Sequence, residues 1–145
     1  MPQTRSYEPP PREMLREVCR EFGVRLTNQR EQIWESFRRK RRGMSITEAV
    51  EAHEKRGIGL STVYRTVALL EEFGLLRRIH DHAGEHRYIA SRPGHFHPLV
   101  CRSCGVVVEF ESCGMGPVER MLAAETGFAI DGHDLEVHGR CPKCQ

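Results

Sequence analysis

The 145-residue chain has no long apolar run. Stretches such as Val67-Ala68-Leu69-Leu70 fall far short of the roughly 20 residues a membrane-spanning helix needs. No apolar segment follows Met1-Pro2-Gln3, so no secretory leader is expected, and the cytoplasm is the expected compartment. Internal repeats are absent. No recognisable catalytic motif accompanies the candidate metal ligands, so neither an enzyme nor a small organic substrate is expected. A strong excess of one charge is missing too, since the net charge is only +2. That value hides an asymmetry: residues 1–90 carry 17 Lys and Arg against 13 Asp and Glu, and residues 91–145 carry 5 against 7. The densest basic run, Arg38-Arg39-Lys40-Arg41-Arg42, suits a solvated helix end or a phosphate-steering patch equally well.

Cysteine is what the chain has in plenty. In a cytoplasmic chain, six cysteines point to metal before disulfide. Four form two matched pairs, Cys101-Arg102-Ser103-Cys104 and Cys141-Pro142-Lys143-Cys144, while Cys19 and Cys113 stand alone. A Cys-x-x-Cys knuckle lets two thiolates meet one ion, and two knuckles supply a closed tetrahedral zinc site. With 36 residues between Cys104 and Cys141, such an ion ties the start of a small unit to its end. It has no open coordination position. Its expected role is structural.

Along the chain, residues 1–11 are polar and Pro-rich and read as a flexible tail. A helix is expected from near Pro11 to Gly23, with Met14, Leu15, Val18, Cys19 and Phe22 at 3–4 residue spacing. A second is capped by Thr27 and buries Ile33, Trp34 and Phe37; a third begins at Thr47 and ends near Gly57. The fourth starts with Ser61 as its N-cap, presents Val63, Val67 and Leu70 inward, and ends at Gly74. Two β-prone runs follow, Leu75–His80 and Glu85–Ile89, with hairpin residues between them. Helices followed by a hairpin describe a winged helix over 12–90, with 91–94 as a linker. The remainder, 95–145, reads as an α/β unit with strands near 97–100, 106–110, 128–130 and 135–138 and a helix over 118–126. The fold class is α+β.

On the fourth helix, Thr62, Arg65 and Thr66 are expected on an outward face with Tyr64 beside them. Such a face offers an Arg to guanine or phosphate, hydroxyls to backbone oxygens, and an aromatic to a thymine methyl. The stretches Leu60-Ser61-Thr62-Val63-Tyr64-Arg65-Thr66 and Arg25-Leu26-Thr27-Asn28-Gln29-Arg30 resemble signature segments of the Fur (ferric uptake regulator) family. So does Cys101-x-x-Cys104-Gly105 followed by a Val-rich strand ending Glu109-Phe110. The resemblance spans about residues 13–144. It implies a homodimeric repressor that binds inverted-repeat DNA operators when metal is bound. It implies structural Zn²⁺ on Cys101, Cys104, Cys141 and Cys144. It also implies base and backbone contacts from Tyr64 and Arg65 and a minor-groove contact from Arg25; Ser61, Thr62 and Thr66 on the same helix are expected to join them at the DNA. Another reading of the same fold is a redox-responsive or metal-independent regulator using Cys113 or Cys19.

The chain departs from that family at the usual hinge sensing ligands. Phe96 and Pro98 stand where His-x-His is usual, Gly43 where a His is common, and Ile89 where a carboxylate is common. Only Glu109 is retained. His95 and His97 are displaced by one residue and share the opposite strand face. With His133 they match a second family site, whose carboxylate position falls on Gly116 in an ungapped match. Glu119 is the expected fourth ligand, with Glu111 and Cys113 as alternatives, for a regulatory divalent ion such as Fe²⁺ or Zn²⁺. His80, His82 and His86 around the hairpin fit a solvated wing or an additional hinge site.

Overall fold

The computed structural model describes residues 8–145, so most of the tail expected over 1–11 lies outside the described residues. Its last part is docked rather than loose: Pro10 is buried and its carbonyl accepts from Arg38 Nη1.

The first half comprises α1 (Met14–Glu21), α2 (Asn28–Arg38), α3 (Ile46–His53), α4 (Leu60–Glu72), β1 (Leu76–His80) and β2 (His86–Ala90). Local chemistry sets the helix starts. The Thr27 hydroxyl accepts from the Arg30 amide at 3.3 Å. Ser45 and Glu48 form a reciprocal capping box, which starts α3 just ahead of Thr47. Helix α4 corrects an expectation. It begins at Leu60, with extended Gly59 as N-cap and no side-chain cap bond, so Ser61 lies inside the first turn with its side chain exposed.

Apolar stripes from all four helices converge on one core that includes Leu15, Ile33, Trp34, Phe37, Val63, Val67 and Leu70. Each such burial contributes about 1.5–3 kcal/mol. The hairpin pairs Leu76 with Ala90 through to His80 with His86, and Met44 exchanges two backbone bonds with Tyr88 beside it (3.0 and 2.8 Å). This is a winged helix with an extra helix in front.

The second half contains β3 (His97–Cys101), β4 (Val107–Phe110), α5 (Gly116–Thr126) and β5 (Val137–Gly139). The sheet order is β4-β3-β5, with β3 antiparallel to β4 and parallel to β5. The strand expected at 128–130 does not form; Phe128 and Ile130 are exposed and lie outside every strand. Helix α5 buries no residue, and its Val118, Met121 and Leu122 face outward. The halves meet through a small apolar cluster of Ile79, Ile89, Val100 and Val107, and through the Val107 amide donating to the Arg41 carbonyl at 3.0 Å.

Candidate metal centres and DNA-reading face

Strand β3 carries the approaches to two clusters. Its last residue, Cys101, joins Cys104, Cys141 and Cys144, with all four sulfurs within 4.8 Å of one another. Cys104 Sγ lies 3.7 Å from Cys141 Sγ, close to the ~3.8 Å edge of a tetrahedron built on Zn–S bonds of about 2.3 Å. Backbone geometry prepares the cluster for negative charge. The Cys141 amide donates to Cys101 Sγ at 3.4 Å. Amides of Cys104 and Cys141 pull the Cys101 thiol down to about 6. Sulfur contacts from Cys141, Cys104 and Cys101 push Cys144 up to about 12. Four thiols packed this closely ionise together only around a cation. The donor set fits one tetrahedral ion, as the spacing predicts.

The first residue of β3, His97, opens the second cluster, about 13 Å away along the strand at 3.3 Å per residue. His95, His97, Cys113 and His133 place their ligand atoms within 4.8 Å of one another. His97 Nε2 lies 2.9 Å from His95 Nε2 and 3.0 Å from His133 Nε2. Cys113 Sγ lies 3.3 Å from His95 Nε2 and 3.4 Å from His133 Nε2. Zinc–imidazole bonds of about 2.0–2.1 Å give tetrahedral edges of ~3.3 Å, so these separations suit a shared ion. His97 is only 2% exposed. Burial, then the neighbouring His95 and His133, holds its imidazole below the ordinary range, which keeps it neutral and able to donate a lone pair.

Glu119, the expected fourth ligand, is not in this cluster. Its Oε1 sits 2.6 Å from His133 Nδ1, on the far side of the imidazole from the converging atoms. Such a carboxylate accepts the Nδ1 proton and fixes which nitrogen faces the metal. Cys113, from the Gly-rich turn between β4 and α5, takes the fourth place. The sequence signal was present in its position between Glu109 and Gly116, but the turn that brings it inward has no periodicity to reveal it.

The hinge ligands missing from the sequence are also closed off in space. Gly43 adopts φ +68°, and a Cβ there would meet the Tyr88 carbonyl oxygen at 2.7 Å and Ile89 Cγ2 at 3.0 Å. A histidine at that position would need backbone rearrangement. Ile89 and Pro98 are buried, and the retained Glu109 accepts from the Ser91 hydroxyl. Burial raises the Glu109 carboxyl above its ordinary value of 4.5, against the lowering by Ser91 and Arg77. Because the folded value is raised, its stabilising contribution is complete below 4.5 and fades as pH climbs through the raised value. Glu109→Gln should therefore match the wild-type chain in acid and surpass it in melting temperature as pH rises between about 5 and 8. A wild-type advantage that grows with pH would contradict this account.

On α4, Ser61, Tyr64 and Arg65 are exposed and Thr62 half-buried, as a reading face requires. Thr66 does not belong to it. It is 3% exposed, because it stands three residues after Val63 and four before Leu70, on the inward stripe. Arg25 is exposed, ahead of α2. Cys19 is 1% exposed and burial raises its thiol, which removes it as an accessible sensor.

A winged-helix head coupled to a sheet bearing two converging thiol and imidazole clusters defines a metal-responsive DNA-binding regulator. Among the described residues no helix is long and apolar enough to cross a membrane. A sequence profile of the Ferric uptake regulator family matches residues 21–138. The ferric uptake regulation protein of Synechococcus elongatus is 35% identical over 137 residues, covering 90% of this chain and 92% of that protein. The peroxide operon regulator of Bacillus subtilis is 30% identical over 130 residues, covering 88% and 89%. A solved zinc uptake regulator complexed with zinc and DNA superposes with a TM-score of 0.75 at 26% identity, covering 92% of this chain and 91% of that one. The chain belongs to the ferric uptake regulator family.

Proposed function

We propose that this chain is a cytoplasmic, homodimeric repressor with a DNA-binding unit at 12–90, a linker at 91–94 and a dimerisation and metal-binding unit at 95–145. Cys101, Cys104, Cys141 and Cys144 hold structural Zn²⁺. His95, His97, His133 and Cys113 hold the regulatory divalent ion, with Glu119 behind His133. Ser61, Thr62, Tyr64 and Arg65 contact operator DNA, and Arg25 reaches the minor groove. A solved relative that carries zinc and DNA together supports the pairing of the two functions.

The observation that carries the regulatory reading is the convergence of three Nε2 atoms and one Sγ at the end of β3. Three imidazoles and a thiolate favour Zn²⁺ over harder ions such as Mn²⁺, and place Zn²⁺ ahead of Fe²⁺. His95 directly follows the linker, whose Ser91 is tied to Leu75 by its amide (2.8 Å) and to Glu109 by its hydroxyl. Ordering His95 therefore orders the exit of the linker from the winged helix. The effect on DNA affinity is limited to the difference in metal affinity between the two arrangements.

The dimer reading rests on α5. An 11-residue helix with no fully buried side chain gains little from packing in the lone chain, and Met121, Leu122 and Phe128 leave an apolar face uncovered. A second copy of the same surface is the occupant. Paired α4 helices then meet successive major grooves of an inverted repeat.

Cys113→Ser tests the site. Affinity for the exchangeable zinc should fall by at least the roughly 10–100-fold that loss of an outer-shell partner costs, and operator binding should lose its zinc dependence. Titration of zinc-dependent operator binding checks this. An unchanged midpoint would remove Cys113 from the regulatory site.

A further inference from the structure

We propose that His80 and His86 form an additional, exchangeable metal site at the wing, oriented by Glu136 from the second half of the chain. The two residues stand directly opposite in the β1–β2 ladder, so their side chains leave the same face of the hairpin. Their ring centroids are 4.8 Å apart, the same separation as His95–His133 and His97–His133 in the regulatory cluster. The turn between them is rigid: Asp81 Oδ1 accepts from the Ala83 and Glu85 amides at 2.8 and 3.0 Å. The pair is thus held in register before any ion arrives.

Glu136 supplies the second, independent observation. Its Oε2 lies 2.9 Å from His80 Nδ1, and its Oε1 accepts from the His80 amide at 2.9 Å. A carboxylate on Nδ1 selects the tautomer with its proton there and leaves Nε2 as the lone-pair nitrogen. His133 with Glu119 repeats this arrangement at the regulatory site, at 2.6 Å. Glu136 Oε1 also lies 3.2 Å from His138 Nε2, so the carboxylate is itself fixed. The nearest arginines of the hairpin are engaged elsewhere, Arg78 with Glu71 and Arg87 with Glu48, which tempers repulsion of a cation.

Two imidazoles with water completing the shell suit a late divalent ion such as Ni²⁺, Cu²⁺ or Zn²⁺. The position differs from the hinge site vacated by Gly43, Ile89, Phe96 and Pro98. Its consequence is mechanical: an ion on His80 Nε2 strengthens the Nδ1–H donation to Glu136, and so tightens the wing against β5.

Calorimetric titration of the zinc-retaining protein with Ni²⁺ tests this. One nickel equivalent should disappear in His86→Ala, persist in His82→Ala, and persist in Cys113→Ser. That last variant separates it from the regulatory site, so failure of one assignment does not mimic failure of the other. Glu136→Gln should weaken the same equivalent by about tenfold or more. In the wild-type chain, but not in Glu136→Gln, nickel should slow hydrogen exchange of the His80 amide, which donates to Glu136 Oε1. Full nickel binding by His86→Ala, or loss of all exchangeable nickel in Cys113→Ser, overturns the site. Equal slowing of that exchange in both proteins overturns the link to Glu136.

Discussion

Cys104→Ser protein should lose its tightly held zinc and, with it, the ordered form of residues 95–145. The reason is the size and shape of that half. It has three short strands, one helix with no buried residue, and an apolar cluster that it shares with the wing. Nothing in such a unit compensates for the binding energy of a four-thiolate ion, which in small zinc units is folding energy. The first half has its own core around Trp34 and Phe37 and does not depend on the metal. The expected outcome is therefore split. Trp34, 1% exposed, keeps its buried emission, while amide protection over β3, β4 and β5 disappears and that half shows no melting transition of its own. Operator binding fails because the two reading heads are no longer held together. Hydrogen exchange with metal analysis checks this. Wild-type zinc content and intact β3 protection in Cys104→Ser would sink it.

Arg65→Ala is expected to weaken operator binding by about tenfold or more, without lowering thermal stability. Arg65 is exposed on α4 next to Tyr64, which is 60% exposed, so both side chains are accessible to DNA. If Arg65 reads a base, the loss concentrates at one operator position; if it contacts phosphate, the loss is uniform and the salt dependence becomes shallower. Thr66→Val is the control. Its side chain belongs to the core, so operator affinity should hold. A stronger effect from Thr66→Val than from Arg65→Ala, measured by titration on the same duplex, would reverse the assignment of the reading face.

How far the sequence reaches depends on the kind of signal. The four cysteines were legible because Cys-x-x-Cys spacing is itself the geometry of a knuckle, and the sulfurs do converge. Helices α1 to α4 and the hairpin were legible from apolar spacing that one core absorbs. Ser61 misled because a good capping residue was present one position inside the true start, where Gly59 supplies the extended backbone instead. Thr66 misled because a hydroxyl suggested an outward role, though its spacing from Val63 and Leu70 places it inward. Strand 128–130 has β-prone residues but no pairing neighbour among the described residues, and a ladder needs two strands. Glu119 and Cys113 exchanged roles because which of two candidates reaches a shared ion depends on a turn, and turns carry little pattern. The contact of Glu136 with His80 joins residues 56 apart and left no trace in the sequence.

The cysteine cluster has a topological side effect. Because it gathers Cys101 and Cys104 with Cys141 and Cys144, it closes residues 105–140 into a ring fastened by an ion rather than a covalent bond. A protease that nicks this ring, for instance after exposed Arg120, produces two pieces that still share the clasp. They should migrate as one particle in native solution and part only when a chelator or acid removes the ion.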